Sequence, residues 1–422
     1  MKEPFFTVDE RIEQLVAEAE ARCAEVFRRI DETADYNAQK VLAAFIRHRV
    51  SEPMFAGTTG YGYGDVGRET LDAVLADIFG CEDALIRHNF VSGTHAITTA
   101  LFGVLRPGDV MVSLTGRPYD TLEEVVGLRG EGHGSLQEFG ISYRQLELAA
   151  DGHIDFDAIP QAVQGAKIAY IQRSRGYTLR PSVTVEEIRR AAEIVKSVDE
   201  NILVVVDNCY GEFVEREEPT QAGADLIIGS LIKNPGGGIA RTGGYIAGRA
   251  DLVELCAHRL TAPGVGKEVG CTLGESRNMF IGLFLAPTVV AAALRTAVLT
   301  SAVCARLGYA VTPAFDEYRT DIIQAITLGD EPSLVAFCQG VQKGAPVDAY
   351  VVPEPWDMPG YESKVIMAAG AFTMGASIEL SADAPIREPF AAWMQGALTY
   401  PSGKIGLKLA LQSMLEQGAL KL

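Results

Sequence analysis

Two short aliphatic runs near the middle of the chain are each followed by polar side chains. Ile202–Val206 is followed by Asp207, and Leu226–Gly229 is followed by Ser230 and Lys233. Short aliphatic runs bounded by polar or glycine positions predict strands that are buried on both faces of a parallel sheet. Ligands bind at the carboxyl ends of such strands. If the two strands are neighbours, Asp207 and Lys233 therefore face one crevice.

The spacing of apolar positions alternates between the helical and the strand period up to about Gly248. Thr7 and Glu10 have the spacing of a capping box, which predicts an amphipathic helix from about residue 8. Further helices are predicted near residues 41–46, 70–79, 96–104 and 185–198, and further strands at residues 110–114 and 168–172. Strands and helices that alternate in this way predict an α/β fold with a mainly parallel sheet.

The pattern changes beyond Gly248. A long apolar helix is predicted over about residues 276–307, and the segment after it has the pattern of a smaller α+β domain. Its strand candidates are residues 321–328, 365–371 and 377–380, and its helices lie near residues 332–341 and 405–416. We therefore predict three parts, which are an N-terminal helical arm (residues 1–55), a large α/β domain (56–275), and a linking helix with a small C-terminal α+β domain (276–422).

Composition and charge disfavour several classes of binding partner. The chain has 422 residues, with 37 lysines and arginines against 55 aspartates and glutamates. The resulting formal charge of −18 disfavours nucleic acid or an anionic membrane as a partner. The cysteines form no C-x-x-C pair and show no zinc-type spacing with the histidines, so we predict reduced thiols and no metal site.

Two further features predict a cytoplasmic protein. The segment Met1–Phe6 lacks the apolar core of a signal peptide. The longest apolar stretch, Phe280–Leu294, is interrupted by Pro287 and is too short to span a bilayer.

Asp207 and Lys233 have both an ordinary and a chemical interpretation. An aspartate after a strand is commonly a turn or cap residue, and a single lysine is usually a solvated surface charge. The neighbours of Lys233 favour chemistry, because Ser230 can offer a hydroxyl to a phosphate and Gly236–Gly238 permit close backbone approach. Pyridoxal 5'-phosphate (PLP) requires a lysine for its Schiff base and a carboxylate that keeps its pyridine nitrogen protonated. We therefore predict a site for PLP.

Two other segments are candidates for the same site. Ser92, Gly93 and Thr94 precede a helical pattern, where free N–H groups and hydroxyls can bind a phosphate, although a simple helix cap is the commoner explanation. Tyr119 follows a predicted strand and could stack on a flat ring.

A glycine-rich loop satisfies the dinucleotide-binding pattern G-x-G-x-x-G at Gly62, Gly64 and Gly67. We reject this match, because the pattern is informative only between a strand and a helix and no apolar strand precedes it. The alternative is a flexible loop, in which Tyr61 and Tyr63 are plausible site-lining residues and Tyr63 is a candidate for substrate binding.

The order of these residues resembles that of the fold-type I PLP enzymes. The likeness to one branch is carried by the segments VSGTHAI (91–97), RPYDT (117–121), SLIKNPGGG (230–238) and SIELSAD (377–383). This branch is the aluminium-resistance protein family, related to cystathionine β-lyase and methionine γ-lyase, and the resemblance covers the chain from about Tyr63 to its C-terminus. It implies a PLP-dependent transferase-like α/β fold, with helices flanking a mainly parallel sheet and a smaller C-terminal α+β domain.

The resemblance also implies a role for each candidate residue. Lys233 would be the Schiff-base lysine, Asp207 the partner of the pyridinium nitrogen, and Tyr119 the stacking residue. The residues that bind the phosphate would be Ser92, Gly93, Thr94 and Ser230. Arg387 would bind the substrate carboxylate through a bidentate contact.

The implied activity is β- or γ-elimination on cystathionine, cysteine or methionine, which yields ammonia and an α-keto acid. The freed amine of Lys233 would remove the α-proton, and Tyr119 or Lys233 would protonate the leaving thiol. Two alternatives stay open. One is another PLP-dependent reaction on an amino acid, such as aldol cleavage or transamination; the other is a non-catalytic PLP-fold protein with a role in metal tolerance.

The family further implies a homodimer or homotetramer. Related lyases carry a Tyr-x-Arg motif that reaches the phosphate of the neighbouring subunit's cofactor. Tyr61, Tyr63 and Arg68 do not have that spacing, so their role across a subunit interface is open.

Overall fold

The chain folds into two compact units. The computed structural model describes residues 5–358, 361 and 363–422, and Met1–Pro4, the start of the segment considered above for a signal peptide, lie outside them. The large unit comprises Tyr36–Pro287, and the small unit comprises Met1–Asp35 and Thr288–Leu422. The three predicted parts, with divisions after residues 55 and 275, stay a prediction.

A helix occurs in each region where the apolar period predicted one. From the N-terminus the helices are α1 (Glu10–Arg22), α2 (Ala24–Arg47), α3 (Val66–Phe79), α4 (Gly93–Val104), α5 (Asp120–Val126), α6 (Ile159–Ala162), α7 (Val185–Val198), α8 (Ala250–Leu260), α9 (Ser276–Arg306), α10 (Glu331–Lys343) and α11 (Tyr400–Glu416). Helices α5, α6 and α8 are additional to those regions. The clearest local signal is at α7, where Thr184 and Glu187 form a reciprocal capping box.

The strands are short and belong to two sheets. In the large unit they are β1 (Asp83–Arg87), β2 (Val110–Ser113), β3 (Ser142–Gln145), β4 (Ile168–Gln172), β5 (Leu203–Asp207), β6 (Leu226–Ser230) and β7 (Gly244–Gly248). In the small unit they are β8 (Ala310–Thr312), β9 (Gln324–Thr327), β10 (Val365–Ala368), β11 (Ser381–Pro385) and β12 (Ala391–Gln395).

The sheet of the large unit is mainly parallel, as predicted. Within the described residues its strand order is β1-β7-β6-β5-β4-β2-β3. The strands from β3 to β6 pair in parallel, and β7 pairs antiparallel with both β1 and β6. Every residue of β4, β5 and β6 is buried, which explains why these strands are continuous aliphatic runs rather than alternating ones.

Helices cover one face of this sheet through a shared apolar core. Residues of α4, α5 and α8 pack there against side chains of the central strands. Gly103 lets α4 lie close to α8, because a Cβ at this position would be 3.1 Å from the Cα of Cys256. The packing holds α4 with its N-terminus at the edge of the sheet where β5 and β6 end.

The small unit has its own antiparallel sheet and core. Within the described residues the strand order is β10-β11-β12-β9-β8. Helices α1, α10 and α11 contribute buried apolar residues to one cluster with this sheet. This arrangement agrees with the predicted smaller α+β domain.

One predicted strand of the small unit is wrong. Residues 377–380 lie outside the strands, and β11 begins only at Ser381. The carboxylate of Glu379 accepts hydrogen bonds from the backbone N–H groups of Phe372 and Thr373, both at 2.9 Å. A side chain that bonds to nearby backbone in this way competes with a strand ladder, and the segment folds back as turns.

The long apolar helix predicted over residues 276–307 is α9, which contains Pro287. By length and composition this helix could cross a membrane, but 72% of its most apolar window is buried inside the protein. Such burial is typical of the core helix of a globular enzyme.

Candidate active site

Asp207 and Lys233 follow neighbouring parallel strands, as the sequence pattern predicted. Strand β5 ends at Asp207 and pairs in parallel with β6, so that Asp207 stands opposite Ile228, and Lys233 comes shortly after β6. The backbone N–H of Cys209 donates a hydrogen bond to Asp207 Oδ1 (3.1 Å). Burial raises the pKa of the Asp207 carboxyl, and the charge of Lys233 opposes this rise. The acid and the lysine therefore interact electrostatically at the carboxyl ends of β5 and β6, the region hereafter called the crevice.

The amine of Lys233 is surrounded by groups that end or follow these two strands. Its Nζ lies 4.1 Å from the centroid of the Tyr210 ring. Burial alone lowers the pKa of the amine, but the surrounding groups, the Asp207 carboxylate among them, outweigh it and raise the pKa well above its ordinary value. The amine therefore carries a proton at neutral pH.

The N-terminus of α4 forms a further wall of the crevice. Ser92 caps this helix, because its Oγ accepts a hydrogen bond from the backbone N–H of His95 (3.0 Å). A Cβ added to Gly93 would lie 3.4 Å from both Cys209 Sγ and Ser230 Cβ. The first turn therefore packs against the ends of β5 and β6, where its free N–H groups and the positive end of the helix dipole favour an anion.

The hydroxyl of Ser230 is a buried polar group at the same edge of the sheet. Ser230 is 1% exposed. Among the described residues, its Oγ has no hydrogen-bond partner. A buried hydroxyl without a partner costs about 1–3 kcal/mol. A phosphate oxygen bound at the start of α4 would satisfy this hydroxyl, so the residues present fit the phosphate of PLP.

Tyr119 lies beside Thr94 at the start of α5. Its hydroxyl and the Thr94 Oγ1 are 3.0 Å apart, and Thr94 Oγ1 is also 3.1 Å from Thr121 Oγ1. The backbone N–H of Tyr119 donates to Gln172 Oε1 (3.0 Å), which ties the residue to the end of β4. Burial, followed by the charge of Asp207, raises the pKa of the Tyr119 hydroxyl. Tyr119 is therefore a neutral phenol beside the crevice.

The two residues predicted to bind substrate, Tyr63 and Arg387, belong to different units of the chain. Tyr63 lies in the glycine-rich loop of the large unit, 68% exposed, and its ring centroid is 5.6 Å from that of Tyr61. Arg387 lies in the small unit, exposed in the turn that follows β11. Their contact with a substrate stays a prediction.

Arg68 is occupied inside its own subunit. It is 1% exposed, and its Nη1 donates to the backbone carbonyls of Gly62 (2.8 Å) and Gly270 (2.9 Å). Asp65 joins the same two segments, because its Oδ2 accepts from the hydroxyl of Thr272 (2.6 Å). Arg68 thus braces the glycine-rich loop.

Three residues of the site were not identified from the sequence. In the sequence, Cys209 is one of the thiols expected to be reduced, and neither Tyr210 nor Asn234 belongs to a predicted site. Cys209 and Tyr210 follow Asp207 almost directly, and Asn234 follows Lys233, so proximity in sequence to the two charged residues was the available signal. Their orientation depends on the tertiary structure.

Comparisons with known proteins agree with this architecture. The chain matches the methionine gamma-lyase family model over residues 12–415. The uncharacterized protein YnbB of Bacillus subtilis is 49% identical over 413 residues, which cover 97% of this chain and 98% of YnbB. L-methionine gamma-lyase of Pseudomonas putida is 28% identical over 225 residues, which cover 52% of this chain and 50% of that enzyme.

Solved structures extend the likeness to the whole chain. A carbon-sulfur lyase involved in aluminum resistance from Clostridium novyi NT has a TM-score of 0.93 and 48% identity, and 96% of each chain is covered. A methionine gamma lyase from Micromonospora echinospora, at 21% identity and a TM-score of 0.54, shares the fold. The chain therefore has the fold-type I architecture of PLP-dependent enzymes, and it belongs to the methionine gamma-lyase family.

Proposed function

We propose that this protein is a PLP-dependent carbon–sulfur lyase that acts on a sulfur-containing amino acid. The observation that carries the proposal is the convergence of three groups at one edge of the sheet. These are the amine of Lys233, the carboxylate of Asp207, and the buried hydroxyl of Ser230 without a partner among the described residues. Family membership and the likeness to the carbon-sulfur lyase from Clostridium novyi support the reaction class.

The residues of the crevice match the parts of the cofactor. Ser92, Gly93, Thr94 and Ser230 would bind the phosphate, using the first turn of α4 and the free hydroxyl. Asp207 would face the pyridine nitrogen, because the negative charge of its carboxylate stabilises the protonated form of that nitrogen. Tyr119 would stack on the ring, and Lys233 would bind the cofactor covalently. When bound, PLP supplies an electron-accepting ring that stabilises negative charge on the substrate α-carbon.

The chain's own groups would move the protons. The Nζ of Lys233, when not bound to the cofactor, would take the substrate α-proton as a general base. The carbon–sulfur bond then breaks, the sulfur leaves with the bonding electrons, and a proton from Tyr119 or Lys233 neutralises it as a thiol. The phenol of Tyr119 can donate, because its raised pKa keeps it protonated at neutral pH. Arg387 and Tyr63 are the proposed contacts for the substrate.

We further propose that the protein is a cytoplasmic homodimer or homotetramer, as its family implies. Arg68 is 1% exposed and its Nη1 donates two hydrogen bonds within the large unit, so a contact between this side chain and a neighbouring subunit would require the glycine-rich loop to rearrange. Tyr61 and Tyr63 are exposed and remain available for such a contact.

The test is a visible absorption spectrum of the full-length protein with PLP, followed by addition of L-cystathionine, L-cysteine or L-methionine and identification of the keto acid. We expect a visible band and release of pyruvate (β-elimination) or 2-oxobutyrate (γ-elimination). Lys233→Ala should abolish both, whereas Lys343→Ala, a change at an exposed lysine of the small unit, should preserve both.

Two outcomes would contradict the proposal at different levels. A protein that stays colourless with added PLP would remove the cofactor and the reaction together. A coloured protein that releases no keto acid would retain the cofactor but reject the lyase, and would direct the search to aldol cleavage or transamination.

A further inference from the structure

The ring of Tyr210 faces the amine of Lys233. The Nζ atom lies 4.1 Å from the ring centroid, well inside the range at which an ammonium is attracted to an aromatic face. Lys233 belongs to the segment after β6 and Tyr210 to the segment after β5, so this contact exists only because the two strands are neighbours.

The backbone at Tyr210 is held in an unfavourable conformation. Its φ is +72°, a value that residues other than glycine rarely adopt. Such strain persists when the surroundings over-determine it, and it is common at functional sites. The backbone N–H of Gly211 donates to the carbonyl of Asn208 (3.0 Å), which closes a tight turn around Tyr210.

Asn234 holds this turn from the side of the lysine. Its Nδ2 donates to the backbone carbonyls of Tyr210 (2.9 Å) and Glu212 (3.0 Å). Asn234 is fully buried and directly follows Lys233 in sequence. Two hydrogen bonds from Asn234 therefore join the segment that carries the lysine to the strained turn, and they position the ring and the amine together.

The other neighbours of the amine are less able to stabilise its charge during a reaction. Burial raises the pKa of the Cys209 thiol well above its ordinary value, so the thiol is neutral. In the proposed function, Asp207 is assigned to the pyridine nitrogen and Tyr119 to the cofactor ring. The aromatic face is the group that remains for a lysine released from the cofactor.

We propose that the Tyr210 ring is the binding face for the free, protonated amine of Lys233, and that it stabilises the ammonium formed when this lysine takes a proton. The first half concerns the chain alone, and the second half rests on the proposed function. Tyr210 is a positioning residue in this scheme, because it acts through the lysine.

The test measures the pKa of the Lys233 amine in the full-length protein without cofactor. Trace acetylation with acetic anhydride over a range of pH, followed by mass spectrometry of the peptide that contains Lys233, gives the fraction of neutral amine at each pH. Replacement of the ring by Tyr210→Leu should lower the midpoint by roughly one pH unit, because a cation–π contact favours the charged form. Tyr210→Phe retains a ring and should stay close to the wild-type midpoint.

Two controls accompany this measurement. The peptide containing Lys343 reports an exposed lysine and should keep its midpoint in every variant. Tyr350→Leu, at a tyrosine that is 86% exposed, should leave the Lys233 midpoint unchanged. If Tyr210→Leu fails to fold, phenylalanines with increasing fluorination at position 210 keep the ring shape while weakening its attraction for a cation, and the midpoint should fall with each step.

An unchanged Lys233 midpoint in folded Tyr210→Leu, or across the fluorinated series, would overturn the inference. Equal shifts for Tyr210→Leu and Tyr210→Phe would also overturn it, because the hydroxyl rather than the ring face would then be responsible. Failure of the protein to bind PLP would reject the proposed function, but the labelling result would still decide whether the ring binds the amine.

Discussion

Asn234 donates a hydrogen bond from its side-chain amide to the backbone carbonyl of Tyr210 over 2.9 Å. The same nitrogen reaches the carbonyl of Glu212 at 3.0 Å, so one buried side chain connects the segments that follow β5 and β6. Asp207 is the last residue of β5, and Lys233 lies in the segment that follows β6. The relative position of the acid and the lysine therefore depends on an amide that is adjacent in sequence to only one of them.

We expect Asn234→Ala to destabilise the protein by about 2–4 kcal/mol, because two buried carbonyls lose their donor. The shift of the midpoint in urea denaturation measures this loss. The control is Asn278→Ala, which removes a half-buried contact to Glu275 (3.3 Å) and should cost less than about 1 kcal/mol. Equal losses in the two variants would show that Asn234 is an ordinary surface-type contact.

Ser230→Ala should not reduce the stability of the protein without cofactor, but it should weaken the binding of PLP. Without cofactor, removal of a hydroxyl that lacks a partner among the described residues should leave stability equal or slightly higher. Affinity for PLP, measured by titration of the visible band, should fall roughly 5- to 30-fold, because a hydrogen bond to a charged phosphate is lost.

The matched control for Ser230 is Ser276→Ala. Ser276 is also fully buried in the large unit, and its Oγ also has no partner among the described residues. Its replacement should leave the affinity for PLP unchanged. A similar loss of affinity in both variants would indicate a general packing effect and would remove Ser230 from the phosphate site.

Asp207→Asn should lower kcat by at least about 100-fold, because a neutral amide does not hold the pyridine nitrogen protonated. Steady-state assay of keto acid release measures the change. Asp157→Asn, an exposed position in the same unit, is the control and should retain the wild-type rate. Near-normal turnover in Asp207→Asn would show that Asp207 is not the residue that keeps the pyridine nitrogen protonated.

Glu212 should make stability depend on pH. Burial, with a contribution from the charge of Glu218, raises the pKa of the Glu212 carboxyl to about 8. Tyr245 donates its hydroxyl hydrogen bond to Glu212 Oε1 (2.8 Å), while Oε2 has no partner among the described residues. The folded protein therefore holds Glu212 neutral at pH values at which the unfolded chain has already ionised it.

The sign of the effect follows from this difference. The contribution of Glu212 to stability is complete below the unfolded pKa, about 4.3, and is lost progressively as the pH rises to about 8. Glu212→Gln should remove this loss, so its stability relative to wild type should increase by on the order of 1 kcal/mol per pH unit in this window and level off above it. Urea denaturation of both proteins between pH 5 and 9 tests this prediction. A difference in stability between Glu212→Gln and wild type that does not vary with pH would contradict it.

The sequence by itself determined the fold class and the two charged residues of the candidate site. Aliphatic runs without alternation require a sheet covered on both faces, and such a sheet is parallel and carries its ligands at the carboxyl ends of its strands. Asp207 and Lys233 stand at or just beyond those ends, so the pattern predicted that they meet if the two strands are neighbours, and the pairing of β5 with β6 meets that condition. The order of these two residues with Ser92, Tyr119 and Ser230, together with the four segments at 91–97, 117–121, 230–238 and 377–383, was sufficient for the resemblance to the family.

Only the tertiary structure decided which side chains surround the amine. Tyr210 and Asn234 carry no pattern of their own, since a tyrosine with positive φ and an asparagine beside a lysine become informative only when two distant segments meet. The strand wrongly predicted at residues 377–380 has the same cause, because the carboxylate of Glu379 bonds to backbone that no local propensity places beside it. Periodicity reports which face of an element is buried, whereas contacts between segments far apart in sequence are set by how those faces pack.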